Sequence, residues 1–94
     1  MKHSLQNTVI LTNKLGLHAR AAAVFVQVAN KFQSKIQLKK PNNSGWVNGK
    51  SILNVMTLDA ICGCQIIISV EGTDATQALN RLTKLVNDKF GEKE

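Results

Sequence analysis

The sequence predicts an α+β domain of two layers, an antiparallel sheet with helices packed on one face. Three observations carry this. Apolar residues recur at every second position in some segments and at helical spacing in others. The segments follow in the order strand–helix–strand–strand–helix–strand–helix. Turn clusters keep the links short and hairpin-like, which favours antiparallel pairing. A chain of 94 residues buries roughly 64% of its unfolded surface by size scaling, enough for one modest core and one domain spanning residues 1–94.

The first strand is read over Leu5–Thr12, with Leu5, Val9 and Leu11 on one face and an imperfection at Asn7. Asn13, Lys14 and Gly16 form a loop. A helix follows over Ala19–Lys31, since Ala22, Phe25, Val26 and Ala29 make one stripe and four alanines favour helix. Ser34–Lys40 reads as a second strand with Ile36 and Leu38 inward. Pro41-Asn42-Asn43-Ser44-Gly45 is a turn cluster. Trp46 and Val47 make a short strand closed by Asn48-Gly49. Ser51 stands as N-cap of a short helix over Ile52–Leu58. Gln65–Glu71, with Ile66, Ile67, Ile68 and Val70, is the strongest strand, ended by Gly72. Asp74 with Gln77 resembles a capping box, and Ala75, Ala78, Leu79, Leu82, Leu85 and Val86 mark an amphipathic helix with Gly91 as its stop.

Charge divides the chain. Residues 1–50 hold eight Lys or Arg and no acid, a charge of +8, while residues 51–94 hold four against six, a charge of −2. A first half of that kind predicts an anionic partner. The 44% apolar content excludes wholesale disorder. No apolar run reaches a membrane span and no signal peptide is visible, so a cytoplasmic protein without membrane attachment is expected. Cys62 and Cys64 flank one glycine, too close for an unstrained disulfide. The histidines, His3 and His18, lie far from them, so two free thiols and no metal site are expected.

The chemistry concentrates in Leu15-Gly16-Leu17-His18-Ala19-Arg20. His18 falls where a loop meets a helix start, and the amides of Ala19, Arg20 and Ala21 point out of that helix end. Those amides and the helix dipole favour an anion, and Arg20 adds a permanent cation. A neutral imidazole is a nucleophile near neutral pH. The segment therefore joins a nucleophile to a cradle for a phosphoryl group. The competing structural reading is that His18 only caps the helix. No carboxylate in the first half stands ready as base, which argues against a self-sufficient enzyme and for a protein modified by one partner and relieved by another. The short helix carries more apolar residues than one face can bury, so Ile52 and Met56 predict an exposed apolar patch. Val24 and Val28, off the main stripe of the first helix, imply either broad burial or a partner surface.

The run Leu15-Gly16-Leu17-His18-Ala19-Arg20-Ala21-Ala22 resembles the active-site signature of the histidine-containing phosphocarrier family, HPr, of the bacterial phosphoenolpyruvate-dependent phosphotransferase system. The resemblance extends to Gly49-Lys50-Ser51-Ile52, Val70-Glu71-Gly72 and the last helix. It implies an open-faced sandwich, a four-stranded antiparallel sheet covered by three helices. It implies that His18 accepts phosphate on Nδ1 from phosphorylated Enzyme I and passes it to an enzyme II-A-type acceptor, with Arg20 as the active-site arginine. It also implies that Ser51 occupies the position modified by an HPr kinase/phosphorylase. Docking would use the first and second helices, through Val24, Ile52, Leu53 and Met56. No cofactor is implied, and a monomer suits successive docking on one face.

Two positions depart from the family pattern, Ala21 where proline is usual and Asp59 where glycine is common. Leu58-Asp59 and the run from Asn13 to Arg20 look closer to the nitrogen-related branch, NPr. The alternatives are a binding module that is never phosphorylated and an RNA-binding domain, since the order of elements begins like a ferredoxin-like fold. The latter lacks the strand aromatics needed for base stacking, because Phe25, Phe32 and Phe90 all fall on or beside helices, leaving Trp46.

Overall fold

The computed structural model describes residues 4–42 and 45–94. His3 and part of the turn at 41–45 lie outside the described residues. Four strands, β1 (Ser4–Ile10), β2 (Lys35–Lys39), β3 (Val47–Asn48) and β4 (Gln65–Glu71), form one sheet. Its order is β1-β4-β2-β3, antiparallel throughout. The long central strand β4 therefore separates β1 from β2, and β1 and β4 are joined by none of the hairpin-like links the sequence suggests. Three α-helices, α1 (Ala19–Ala29), α2 (Ile52–Met56) and α3 (Ala75–Asn87), cover one face. The expected α+β open-faced sandwich is the observed fold.

Strand alternation decides which side chains meet the helices. Val9, Ile66, Ile68, Val70, Ile36 and Leu38 turn inward and are buried. Directly paired positions share a face, as with Val9 and Ile66, or Leu38 with Ile68. Asn7 is the polar member of the inner row of β1. Its side-chain amide donates to Thr83 Oγ1 of α3 at 3.1 Å, so the break in the apolar pattern is a strand-to-helix hydrogen bond.

From α1, the core takes Ala21, Ala22, Phe25, Val26, Val28 and Ala29. Val28 is buried with the main stripe, whereas Val24 packs on the core and stays partly exposed. Each fully buried branched or aromatic side chain contributes about 1.5–3 kcal/mol. Helix α1 stops two residues before the expected Lys31, and Lys50 Nζ donates to Phe32 O at 2.7 Å just beyond it. The expected strand residue Trp46 precedes β3 and lies beside Lys39, whose Nζ is 5.1 Å from the ring centre.

Two expectations about α3 fail. Asp74 is the N-cap residue of α3, but its side chain makes no capping bond. Its carboxylate instead accepts from the Gln33 and Ser34 amides and the Ser34 hydroxyl, tying the start of β2 to α3. The carboxylate goes to the amides just ahead of the first ladder pair of β2, which have no strand partner there. Gly91 does not stop α3 either. The helix ends at Asn87 and a 3₁₀ turn, Lys89–Gly91, follows with Lys89, Phe90 and Gly91 all at positive φ. Phe90, buried to 2% exposure, anchors that turn in the core. Its burial offsets left-handed backbone costs of about 1–2 kcal/mol per non-glycine residue.

Candidate functional site

The loop between β1 and α1 is fastened to residues 60–64. Leu11 N–H donates to Cys64 O, Gly63 N–H to Leu11 O and Leu17 N–H to Ala60 O, at 2.7–2.9 Å. Gly16, at φ +63°, lies so close to this segment that a Cβ would stand 2.5 Å from Ala60 O. Glycine is needed there for both backbone angle and approach. The loop is held from within by Asn13, which is fully buried and donates through Nδ2 to Gly16 O at 2.8 Å.

His18 is the N-cap residue of α1, in extended backbone, and its side chain makes no capping bond. The first intrahelical bond runs from Ala22 N–H to His18 O. The amides of Ala19, Arg20 and Ala21 thus precede the ladder and point out of the helix end, as the sequence predicts. His18 and Arg20 face one open cleft of about 530 Å³, bounded also by Lys14, Leu15 and Glu92 to Glu94. The imidazole is 27% exposed, and its Nε2 is 2.6 Å from Glu92 Oε2. Among the described residues, Nδ1 has no hydrogen-bond partner.

Glu92 is the residue that sequence reasoning missed. Its Oε2 also accepts from Arg20 Nη1 at 2.8 Å, and its Oε1 from Asn13 Nδ2 at 3.0 Å. Arg20 Nη2 reaches Phe90 O at 3.2 Å. Burial opposes charge on Glu92, yet the bonds from Asn13, His18 and Arg20 outweigh it and hold the carboxyl below its ordinary value. The absence of acids before residue 51 therefore does not leave the histidine without a carboxylate. One arrives from 74 positions along the chain. The only local signal was Phe90, an aromatic residue beyond the last amphipathic helix and close before a Glu.

Ser51 caps α2 as expected, its Oγ accepting from Asn54 N–H at 3.3 Å and from Asn54 Nδ2 at 3.0 Å. Helix α2 is shorter than expected, yet Ile52, Leu53 and Met56 are exposed at 41%, 78% and 40%. Leu15 and Ile61 are exposed apolar residues as well. Val24 is half-buried and packs on the core. Cys62 and Cys64 are free thiols, and no group of three or more potential metal ligands occurs among the described residues. No helix among them is long and apolar enough to cross a membrane.

An open antiparallel sandwich that presents a histidine and an arginine at the start of its first helix defines a histidine phosphocarrier type of domain. The family model for the HPr component phosphorylation site of the phosphotransferase system matches residues 5–88. The chain belongs to the HPr family and is a phosphocarrier protein of the phosphotransferase system. It is 43% identical to the phosphocarrier protein HPr of Neisseria meningitidis over 90 residues, covering 96% of this chain and 99% of that one. Among solved structures, HPr-C-His from Thermoanaerobacter tengcongensis superposes with a TM-score of 0.89 at 43% identity, covering 96% and 99% of the two chains. An HPr dimer from the same organism superposes at 0.73, with 45% identity over 89% and 94%. Dimers thus occur among its relatives, and family membership does not support the expected monomer. These relatives are named HPr, so the likeness to the NPr branch rests on Leu58-Asp59 and the Asn13–Arg20 run alone.

Proposed function

We propose that His18 carries the phosphoryl group, on Nδ1, receiving it from an Enzyme I-type donor and giving it to an enzyme II-A-type acceptor. One observation carries this assignment. A partly exposed imidazole, whose Nδ1 has no partner among the described residues, stands at the start of α1 beside three outward amides and Arg20. An arriving dianion meets the amides of Ala19, Arg20 and Ala21 and the Arg20 guanidinium, all favouring negative charge. Transfer proceeds with partner enzymes that supply and take the phosphoryl group. The same reading places the protein in the cytoplasm.

Partners dock on the surface formed by α1 and α2, through Val24 and the exposed Ile52, Leu53 and Met56. Lysines of the first half steer acidic partner surfaces toward it. Ser51, at the amino end of α2, is the site for an HPr kinase/phosphorylase, and a phosphate there would sit within that docking surface.

The test is incubation with phosphoenolpyruvate and a competent Enzyme I. One acid-labile phosphate is expected on the native chain and none on His18→Ala. A native chain that stays unmodified refutes the assignment and favours a module that binds without phosphorylation. ATP with the kinase should add an acid-stable phosphate to the native chain and none to Ser51→Ala; equal labelling of both would move that site elsewhere.

A further inference from the structure

The carboxylate of Glu92 is held from several sides rather than left free on the surface. Asn13 Nδ2 and Arg20 Nη1 donate to its two oxygens, and the buried Phe90 anchors the backbone two residues earlier. We propose that Glu92 is a positioning residue for phosphoryl transfer, accepting the Nε2–H of His18 so that the nucleophilic lone pair stays on Nδ1, and then balancing the charge the ring acquires. The inference rests on His18 being the phosphoryl acceptor.

An ionised carboxylate can only accept, so an N···O distance of 2.6 Å places a hydrogen on His18 Nε2. A neutral imidazole carries one N–H and one lone pair. With the hydrogen on Nε2, the lone pair lies on Nδ1, the nitrogen without a partner among the described residues. The opposite tautomer would put two lone-pair bearers, Nε2 and Oε2, face to face. Glu92 therefore holds the ring in the form that can attack through Nδ1, as a buried carboxylate orients the imidazole of a Ser-His-Asp triad.

The transfer then balances without moving a proton. The Nδ1 lone pair forms a bond to phosphorus, the bond between phosphorus and the donor breaks, and its electron pair stays with the donor. The ring, substituted at Nδ1 and protonated at Nε2, becomes cationic. Glu92 lies against the nitrogen that bears that charge. When an acceptor takes the phosphoryl group, the Nδ1–P bond breaks, its electron pair returns to Nδ1 and the ring is neutral again. Arg20 lies on the same carboxylate oxygen, so the negative charge that would oppose an incoming phosphoryl group is already countered in place.

A reading of Glu92 as a plug that occupies Arg20 and must leave before phosphate arrives makes the opposite forecast. The experiment uses the full chain, Enzyme I and phosphoenolpyruvate, with Glu92→Ala and Glu92→Gln. Initial phosphorylation rate is measured, together with ¹⁵N spectra of the His18 ring at about pH 8, above the ordinary histidine range. The native ring should show the Nε2–H tautomer. Glu92→Ala should show a mixture and a rate lowered about 10–100-fold, the range found when the carboxylate that orients a metal-bound imidazole is removed. Glu92→Gln should keep the tautomer through its carbonyl oxygen and still lose rate, because the charge is gone. Urea midpoints of the variants verify folding. A Glu92→Ala rate equal to or above native, or an unchanged tautomer, overturns the inference. Failure of the native chain to accept phosphate overturns the His18 assignment itself, so the two failures are distinguishable.

Discussion

Gly16 offers a quantitative test of how the His18 loop is held. In Gly16→Ala the new Cβ would stand 2.5 Å from Ala60 O and 2.8 Å from Ile61 Cα, both backbone atoms that cannot rotate away. Placing Ala at φ +63° costs about 1–2 kcal/mol in backbone conformation. Forcing a methyl group into a filled space costs about 1–3 kcal/mol more. Relief by shifting the loop would break the bond from Leu17 N–H to Ala60 O, about 0.5–1.5 kcal/mol. Gly63 is the internal control. It also has positive φ, at +93°, but a Cβ there meets nothing within 4 Å. Gly63→Ala therefore carries the conformational cost alone. The gain from a stiffer unfolded chain, about 0.4–1 kcal/mol, is common to both substitutions and cancels in their difference. The expected gap of about 1–3 kcal/mol corresponds to a urea midpoint roughly 1 M lower for Gly16→Ala at ordinary slopes for small proteins. Against a total stability of about 5–14 kcal/mol for a chain of this size, the variant still folds, with its His18 loop displaced. Equal midpoints for the two variants would refute the steric account and leave backbone angle as the whole requirement.

Three further outcomes are expected. Phe90→Ala should cost about 3–5 kcal/mol in urea unfolding and also slow phosphorylation, since it frees the segment that presents Glu92; unchanged transfer would show that the segment stays docked without its anchor. Ser51→Ala should cost about 1 kcal/mol by removing the cap of α2, and a Ser51→Asp variant that restores thermal stability would confirm the capping role, whereas no loss in Ser51→Ala would refute it. The bond from the Ser34 hydroxyl and those from the Gln33 and Ser34 amides hold the Asp74 carboxyl below its ordinary value of 3.8. Its contribution is present above that value and is lost as pH falls through the lower folded value, because the unfolded chain binds the proton first. Asp74→Asn should therefore flatten the acid limb of a urea-midpoint profile, and an unchanged limb would assign acid sensitivity to other carboxyls.

Local pattern carried much of this protein. Alternation marks β1 and β2, helical spacing marks α1 and α3, the Ser51 cap marks α2, and the apolar run Gln65–Glu71 coincides with β4. That His18 and Arg20 share one cleft follows from their places two residues apart at a helix start. Short-range chemistry of this kind is written in neighbouring residues.

What the sequence could not show is contact between distant segments. Asp74 looked like a helix cap, but the neighbouring segment leading into β2 offered it three donors. Gly91 looked like a helix stop, but burial of Phe90 turned the chain earlier, through a left-handed run. By itself the sequence determined the sandwich, the imidazole and its arginine. The tertiary structure alone decided that a carboxylate 74 positions away would lie 2.6 Å from that imidazole. Packing of Phe90 against the core brings Glu92 to His18, and no periodicity along the chain encodes where a folded segment will come to rest.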